Sequence, residues 1–255
     1  MDVSSFLITL DTITGGHGVV AGRVFIAVVF VLDLIYLLRA LRTKRFYIVR
    51  HGQTILNAKR IRQGSAGGLD EAGKHQAHAA GAYLRDARIE KIIASPFERT
   101  KETAAIIDTY LKVPVTYSPL LGERRNPSEI IGKSAEDAKV EQIVDQIDLS
   151  YHDDNYRFSD EENFADLKRR AKRCLSFLGN QSDRSVCVVT HSIFLKMLLS
   201  FLLYRNKLHA PDYVKLAFFN PADNGGITIC EYRPWKFFSK TRGWSVVAYN
   251  EMPTE

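Results

Sequence analysis

Three short polar segments carry the residues that could do chemistry in this chain. Each directly follows an apolar stretch: RHG at 50–52, SPFER at 95–99 and THS at 190–192. An imidazole can act as a nucleophile or proton carrier, and a guanidinium binds phosphate through paired N–H groups. Phosphoryl transfer needs a nucleophile and cations around the phosphoryl oxygens, and these segments supply both through two histidines and two arginines.

The apolar stretches before these segments are typical of buried strands. From Phe46 onward such β-branched runs alternate with helical patterns, which predicts an α/β layered domain with a largely parallel sheet. The predicted strands are Phe46–Arg50, Lys91–Ser95, Val113–Tyr117, Ser185–Thr190, Ile227–Tyr232 and Ser245–Tyr249. Because open α/β sheets bind ligands at the carboxyl ends of their strands, we expect His51 and His191 to lie at one such site.

Two helix starts are predicted from capping boxes. Ser95 and Glu98 flank a proline and precede a helix over Arg99–Tyr110, and Ser159 and Glu162 precede one over Phe164–Leu178. The first start would add a helix N-terminus to the guanidinium of Arg99. Residues 125–160 are polar and loosely patterned, and we interpret them as an insertion covering one end of the sheet.

Small and neutral polar residues follow His51 within one turn. Gly52 is expected to let the backbone turn closely around an anion. Gln53, Thr54 and Asn57 are predicted to add neutral donors.

In combination, four motifs identify a resemblance to the histidine phosphatase superfamily, which includes the cofactor-dependent phosphoglycerate mutases. They are FYIVRHGQTILN at 46–57, ASPFERTKETA at 94–104, LLGERRNP at 120–127 and VVTHS at 188–192. The resemblance covers Phe46 to about Tyr249 and implies a three-layer sandwich, with a central sheet between helices. It gives a domain at 46–255 after an N-terminal hydrophobic segment at 1–45.

The resemblance also implies a role for each residue of these motifs. His51 would attack phosphorus and become a phosphohistidine, and Glu123 would donate a proton to the leaving oxygen. The phosphoryl oxygens would be held by Arg50, Arg99 and His191, with further contacts from Asn57, Gln53, Thr54 and Ser192. No metal or other cofactor is expected, since the arginines supply the positive charge. A solvated loop glutamate remains the alternative for Glu123.

The sequence departs from the mutases of this family after Glu123. Those enzymes continue with a pattern of the type Glu-x-x-x-Gly-x-x-Glu-Gly, whereas this chain reads ERRNPSE at 123–129. A phosphatase acting on a small phosphorylated substrate is therefore predicted. Transfer of the phosphoryl group to another acceptor and a binding module without turnover remain alternatives. Arg124 and Arg125 are candidates for selecting a substrate with a second negative group, or are merely exposed.

The bulk composition is that of an ordinary globular protein, with 45% hydrophobic and 25% charged residues and a net charge of +6. Nucleic acid is not an expected partner, because no zinc-like spacing or RNA-binding signature occurs. The three cysteines are Cys174, Cys187 and Cys230, an odd and widely spaced set that indicates a reducing compartment.

The segment from Val19 to Leu38 is almost wholly apolar and precedes a basic cluster. Its length is enough to cross a bilayer as one helix, and the basic flank predicts that the rest of the chain stays in the cytoplasm. Three interpretations stay open: a single membrane anchor, a buried or interfacial helix, and a segment from an upstream start codon that never folds with the domain. A cytoplasmic chain without an anchor is the alternative localisation.

Overall fold

The protein is described from a computed structural model, which covers residues 17–40, 43–219, 222–234 and 243–253. The chain divides into two compact units, one up to Arg42 and one from Thr43 onward. The first unit contains helix α1, His17–Ala40. No helix within the described residues is long and apolar enough to span a membrane, so the transmembrane helix predicted from Val19 to Leu38 is not supported.

The second unit is built on one six-stranded sheet in the order β3-β2-β4-β1-β5-β6. The strands are β1 Lys44–Arg50, β2 Lys91–Ala94, β3 Val115–Tyr117, β4 Ser185–Thr190, β5 Ile227–Tyr232 and β6 Trp244–Glu251. Strands β3, β2, β4 and β1 pair in parallel, whereas β5 is antiparallel to both β1 and β6. The sheet is thus mixed, with its antiparallel pairs on the β5 side of β1.

Alternate residues of the central strands point to opposite faces of the sheet, as a strand period of two requires. On β1, Phe46 and Ile48 join a buried cluster with two later helices, Phe164–Gly179 and Ser192–Tyr204. Tyr47 and Val49 join one with two other helices, Glu71–Leu84 and Glu98–Leu111. Helices therefore flank the sheet on both faces, which confirms the predicted α/β layers. The helices after α1 are α2 Ile55–Ala58, α3 Glu71–Leu84, α4 Glu98–Leu111, α5 Ala138–Leu149, α6 Phe164–Gly179, α7 Ser192–Tyr204 and α8 Ala210–Phe219.

Both predicted capping boxes are wrong, although both helices exist. Helix α4 starts after Phe97, whose side chain makes no capping bond. Helix α6 is capped by Asn163, whose side chain accepts the N–H of Asp166. Asparagine is as good an N-cap residue as serine, and Asn163 rather than Ser159 lies directly before the first residue of α6. The hydroxyl of Ser95 is instead bonded to His191.

The predicted insertion contains a regular helix, α5. Val140 and Ile143 on this helix are buried with Ile130, and together they form a small cluster separate from the two that contact the sheet. Asp137 starts the helix by accepting the N–H groups of Lys139 and Val140. The segment is therefore more ordered than its polar composition predicts, because a few apolar residues at helical spacing are enough to pack it.

Candidate functional site

The two candidate histidines lie side by side at the ends of neighbouring strands. The last paired residues of β1 and β4 are Arg50 and Thr190, and His51 and His191 follow them directly. The two ring centroids are 5.1 Å apart, and both residues are buried. The rings are thus close enough to contact one phosphate-sized anion.

The hydrogen bond of His51 defines which ring nitrogen is free to react. Its Nδ1 lies 2.7 Å from the carbonyl oxygen of Gly52, and a carbonyl can only accept. Nδ1 therefore carries the hydrogen, which leaves the lone pair of Nε2 available in the neutral ring. The backbone oxygen of His51 in turn accepts Nδ2–H of Asn224 at 2.8 Å.

Burial is the main cause that keeps His51 neutral, since it lowers the pKa of the imidazole well below 6.5. The nearby charges of Arg99 and Arg50 lower this pKa further, and the bond to Gly52 only partly opposes them. The same causes act on His191, whose pKa is lowered by burial first and then by His51 and Arg99. His51 is therefore a neutral imidazole at neutral pH.

His191 connects the end of β4 to the guanidinium of Arg99. Arg99 Nε donates to His191 Nδ1 at 3.2 Å, so Nδ1 is unprotonated and the neutral ring carries its hydrogen on Nε2. Nε2 then donates to Ser95 Oγ at 2.9 Å. Both ring nitrogens of His191 thus have partners, and a direct contact with a phosphoryl oxygen would require one bond to be exchanged.

Arg99 and Arg50 bring two cations to the histidines. Arg99 also donates from Nη1 to the carbonyl of Gly64 at 2.9 Å, and burial lowers its pKa to about 10. Arg50 donates from Nη1 to the carbonyl of Ala222, and burial lowers its pKa as well. The Nε of Arg50 is buried and has no partner among the described residues. A bound anion would satisfy that donor.

Glu123 reaches the same place but acts as a hydrogen-bond acceptor there. Its carboxylate accepts the N–H of Ile193 at 3.2 Å and that of Phe194 at 3.0 Å, and also the N–H of Arg124. Ile193 and Phe194 are the second and third residues of α7, and the side chain of the N-cap residue His191 makes no capping bond. Glu123 therefore caps α7, where its negative charge also partly offsets the lowered pKa of Arg50.

Close packing between backbones, and not a turn around an anion, explains why position 52 is a glycine. A Cβ at this position would lie 2.3 Å from the carbonyl oxygen of Gly73 in helix α3, so the backbones pack too closely for any side chain. Its N–H donates to Thr103 Oγ1 at 3.1 Å and is not free for an anion. Gly52 thus allows α3 to pack against the end of β1.

The neutral donors predicted after His51 are only partly placed as expected. Gln53 donates its side-chain amide to Asp70 at 2.9 Å, and Thr54 Oγ1 caps α2 by accepting the N–H of Asn57 at 3.0 Å. The side-chain oxygen of Asn57 is buried without a partner among the described residues. Ser192 is the half-buried first residue of α7.

The pair Arg124 and Arg125 separates in the structure. Arg124 donates from Nη1 to the hydroxyl of Tyr151 at 2.8 Å and from Nη2 to Asn126 at 3.4 Å. Arg125 instead donates from Nε to the carbonyl of Asp160 at 2.8 Å, in an exposed contact. Of the two, only Arg124 is held by half-buried contacts.

Sequence reasoning missed several residues that hold this site together. Ser95 and Asn224 each fix a histidine through a side-chain bond, and Gly64 accepts from Arg99. Asn224 lies 173 positions from His51, so no local pattern could have identified it. The sequence predicts a helix cap at Ser95, although its position directly after a strand that ends at the predicted site is also a signal for a contact with the site.

No group of three or more His, Cys, Asp and Glu side chains is placed to hold a metal ion within the described residues. The three cysteines are unpaired and buried, and burial raises the pKa of each thiol to about 12. They are therefore weak nucleophiles and poor metal ligands.

Comparison with known proteins agrees with this geometry. The sequence model of the histidine phosphatase superfamily (branch 1) matches residues 46–245 of the chain. The chain belongs to this superfamily. This superfamily member is 31% identical over 159 residues to a probable phosphoglycerate mutase of Erwinia tasmaniensis. The alignment covers 62% of the chain and 74% of the relative. A broad-specificity phosphatase of Saccharomyces cerevisiae is 29% identical over 172 residues, which cover 64% of the chain and 71% of that protein.

Solved structures of other proteins share the fold of this superfamily member. The alpha-ribazole phosphatase of Shigella flexneri superposes with a TM-score of 0.66 at 19% identity, covering 83% of this chain and 98% of that one. A mycobacterial glucosyl-3-phosphoglycerate phosphatase superposes with a TM-score of 0.65 at 22% identity, covering 81% and 99%. The six-stranded sheet between helices is thus the fold of known phosphatases.

Proposed function

We propose that the protein hydrolyses a phosphomonoester of a small molecule, with His51 as the nucleophile. The observation that carries this proposal is the bond from His51 Nδ1 to the Gly52 carbonyl, since it leaves Nε2 unprotonated among buried cations. The arginines Arg50 and Arg99 would bind the phosphoryl oxygens. The unpartnered Nε of Arg50 supports this role, because a buried donor without a partner is costly until an anion binds.

The reaction would proceed in two displacements at phosphorus. In the first, the lone pair of His51 Nε2 forms the N–P bond while the P–O bond to the leaving group breaks, and the leaving oxygen takes a proton from Glu123. In the second, Glu123 removes a proton from water as the water oxygen attacks phosphorus and the N–P bond breaks. Inorganic phosphate leaves, and His51 is neutral again. Two aided steps replace one difficult displacement.

Two residues would have to change partners during this cycle. Glu123 accepts three N–H groups in the structure, so it must release one of them and carry a proton before it can donate. His191 has both ring nitrogens bonded, so its proposed part is to orient Arg99. Gln53 would hold the Asp70 carboxylate and Thr54 would cap α2, whereas the side-chain oxygen of Asn57, on α2, has no partner among the described residues.

The test compares wild-type protein with His51→Ala on a panel of phosphorylated metabolites, phosphopeptides and an aryl phosphate. We expect the substitution to lower kcat by at least about 10³-fold, since it removes the attacking atom. His75→Ala is the matched control, because His75 is exposed on α3 and should leave the rate unchanged. Rapid quenching with labelled substrate should trap an acid-labile phosphoprotein in the wild type and none in His51→Ala. Equal turnover by both proteins would remove His51 from the mechanism.

Transfer to a second acceptor is the other candidate reaction, and the likeness to a probable phosphoglycerate mutase favours it. The two reactions share the phosphohistidine and differ only in what attacks it. Product analysis separates them. Hydrolysis releases one inorganic phosphate for each substrate consumed, whereas transfer keeps the phosphate on an isomeric product.

A further inference from the structure

A cavity of about 540 Å³ adjoins the histidines and contains a guanidinium that the mechanism does not use. We call it the arginine cavity and define it by Arg62, Arg124, Gly64, Phe97 and Glu123, which all line it. Its size is that of a small-molecule pocket. It is continuous with the histidine site through shared residues, since Gly64 accepts from Arg99 and the Phe97 ring lies 5.0 Å from that of His191.

The side chain of Arg62 forms no hydrogen bond or ion pair with any described residue, and its Nε is buried. Its backbone, by contrast, is held on both sides. The N–H of Arg62 donates to Lys133 at 2.9 Å, and its carbonyl accepts from Gly132 at 2.8 Å. The guanidinium is thus presented from a fixed backbone, and none of its N–H groups is paired within the described residues.

Arg124 brings a second cation to the same cavity. Tyr151 and Asn126 bind its Nη atoms, but its Nε is also buried without a partner among the residues that the structure describes. Burial first and then the charge of Arg124 lower the pKa of Arg62, and the second cause indicates that the two guanidinium groups repel each other. The Asp148 carboxylate acts electrostatically on both, yet it forms no ion pair with either among the described residues.

Unpaired buried donors and repelling cations are unfavourable unless an anion joins them. We infer that the arginine cavity is a second anion subsite, in which Arg62 and Arg124 bind a carboxylate or a second phosphate of the substrate. The inference rests on the proposed function, because the phosphoryl group of the same molecule would bind at His51. The substrate class is then a small phosphomonoester with a second anionic group. Arg125 also lines the cavity, but its Nε donates to the carbonyl of Asp160, so Arg62 is the second cation of the subsite.

The test is a comparison of matched esters. Phosphoglycerate and glycerol phosphate differ by a carboxylate, and glycerol bisphosphate adds a second phosphate to the latter. We expect wild-type protein to show a higher kcat/KM for at least one doubly anionic ester than for glycerol phosphate. Arg62→Gln should lower that preference by about 10-fold, mostly through KM, because the contact is remote from the reacting atoms.

Two further variants control this result. Arg60→Gln removes the same charge two positions away, from a side chain that is 70% exposed and paired with Glu136, and should keep the preference. Arg62→Lys keeps the charge without the planar fork and should give an intermediate value. An equal preference in wild type and Arg62→Gln, or an equal loss in Arg60→Gln, would overturn the subsite.

The two proposals can fail separately. If no ester is hydrolysed, the proposed function fails, and calorimetric binding of phosphoglycerate and glycerol phosphate then judges the subsite. Tighter binding of phosphoglycerate that Arg62→Gln weakens would support it. Equal affinities for the two esters would refute it. If glycerol phosphate is hydrolysed but no preference appears, only the subsite fails.

Discussion

In the histidine site, formed by His51, His191, Arg50 and Arg99, each side chain makes at least one hydrogen bond within the described residues. In the arginine cavity beside it, the guanidinium of Arg62 has no partner within the described residues. The first arrangement suits groups that must keep one geometry through a reaction. The second suits groups whose partner arrives with the ligand. The difference separates the atoms that would perform the reaction from those that would choose the substrate.

Arg99→Ala should break the histidine site most severely. It removes a proposed phosphoryl ligand and the donor that bonds His191 Nδ1, so we expect kcat to fall by about 10²–10³-fold for every ester. Arg173→Ala is the control, because Arg173 is exposed on α6. Steady-state kinetics on singly and doubly anionic esters checks this result. If kcat falls only for the doubly anionic esters, Arg99 contributes to substrate selectivity, and the proposed difference between the two regions is wrong.

Ser95→Ala should have a smaller effect on the same site. It leaves the buried Nε2–H of His191 without an acceptor, and we expect about 10-fold lower kcat and about 1–3 kcal/mol lower free energy of unfolding. Ser118→Ala is the matched control, since its buried hydroxyl accepts the nearby N–H of Leu120 and has no other side-chain bond within the described part of the chain. The control should lose stability without losing kcat. If both variants lower only stability, the bond from His191 to Ser95 has no catalytic part.

The pKa of His51 should differ between variants of the histidine site and of the arginine cavity, and this is the smallest of the expected effects. Burial and the charges of Arg99 and Arg50 lower the pKa of His51, so kcat/KM should fall with acid only well below pH 6.5. Removing a cation relieves repulsion of the charged ring, so Arg50→Gln should raise the pKa of His51. Arg62→Gln should leave it unchanged, because Arg62 is not among the charges that act on His51. NMR titration of the imidazole measures both, and an equal rise in the two variants would contradict separate electrostatics.

The fold was largely predictable because its strands are short, apolar and β-branched. The predicted bounds of β4 and β5 are those observed, and β1 begins only two residues earlier than predicted. Helix starts were less predictable. Several residues near each start can cap it, and tertiary bonds such as the one from His191 to Ser95 decide which of them does.

The histidine site was predictable in composition but only partly in contacts. His51, His191, Arg50 and Arg99 converge because parallel neighbouring strands end at one edge of the sheet. Glu123 reaches the start of α7 from a loop 70 positions before Ile193, and nothing local indicates that contact. Arg62 lies in a segment with no recognised motif, so its unpaired side chain became visible only in the folded chain.

The sequence by itself determined which chemical groups stand at the strand ends, because strand periodicity and the residues directly after each strand are local properties. Only the tertiary structure decided which nitrogen of His51 is free, which hydroxyl serves His191 and which arginine faces the neighbouring cavity. The physical reason is that protonation and pairing depend on burial and on hydrogen-bond partners, and folding brings most of those partners from distant parts of the chain.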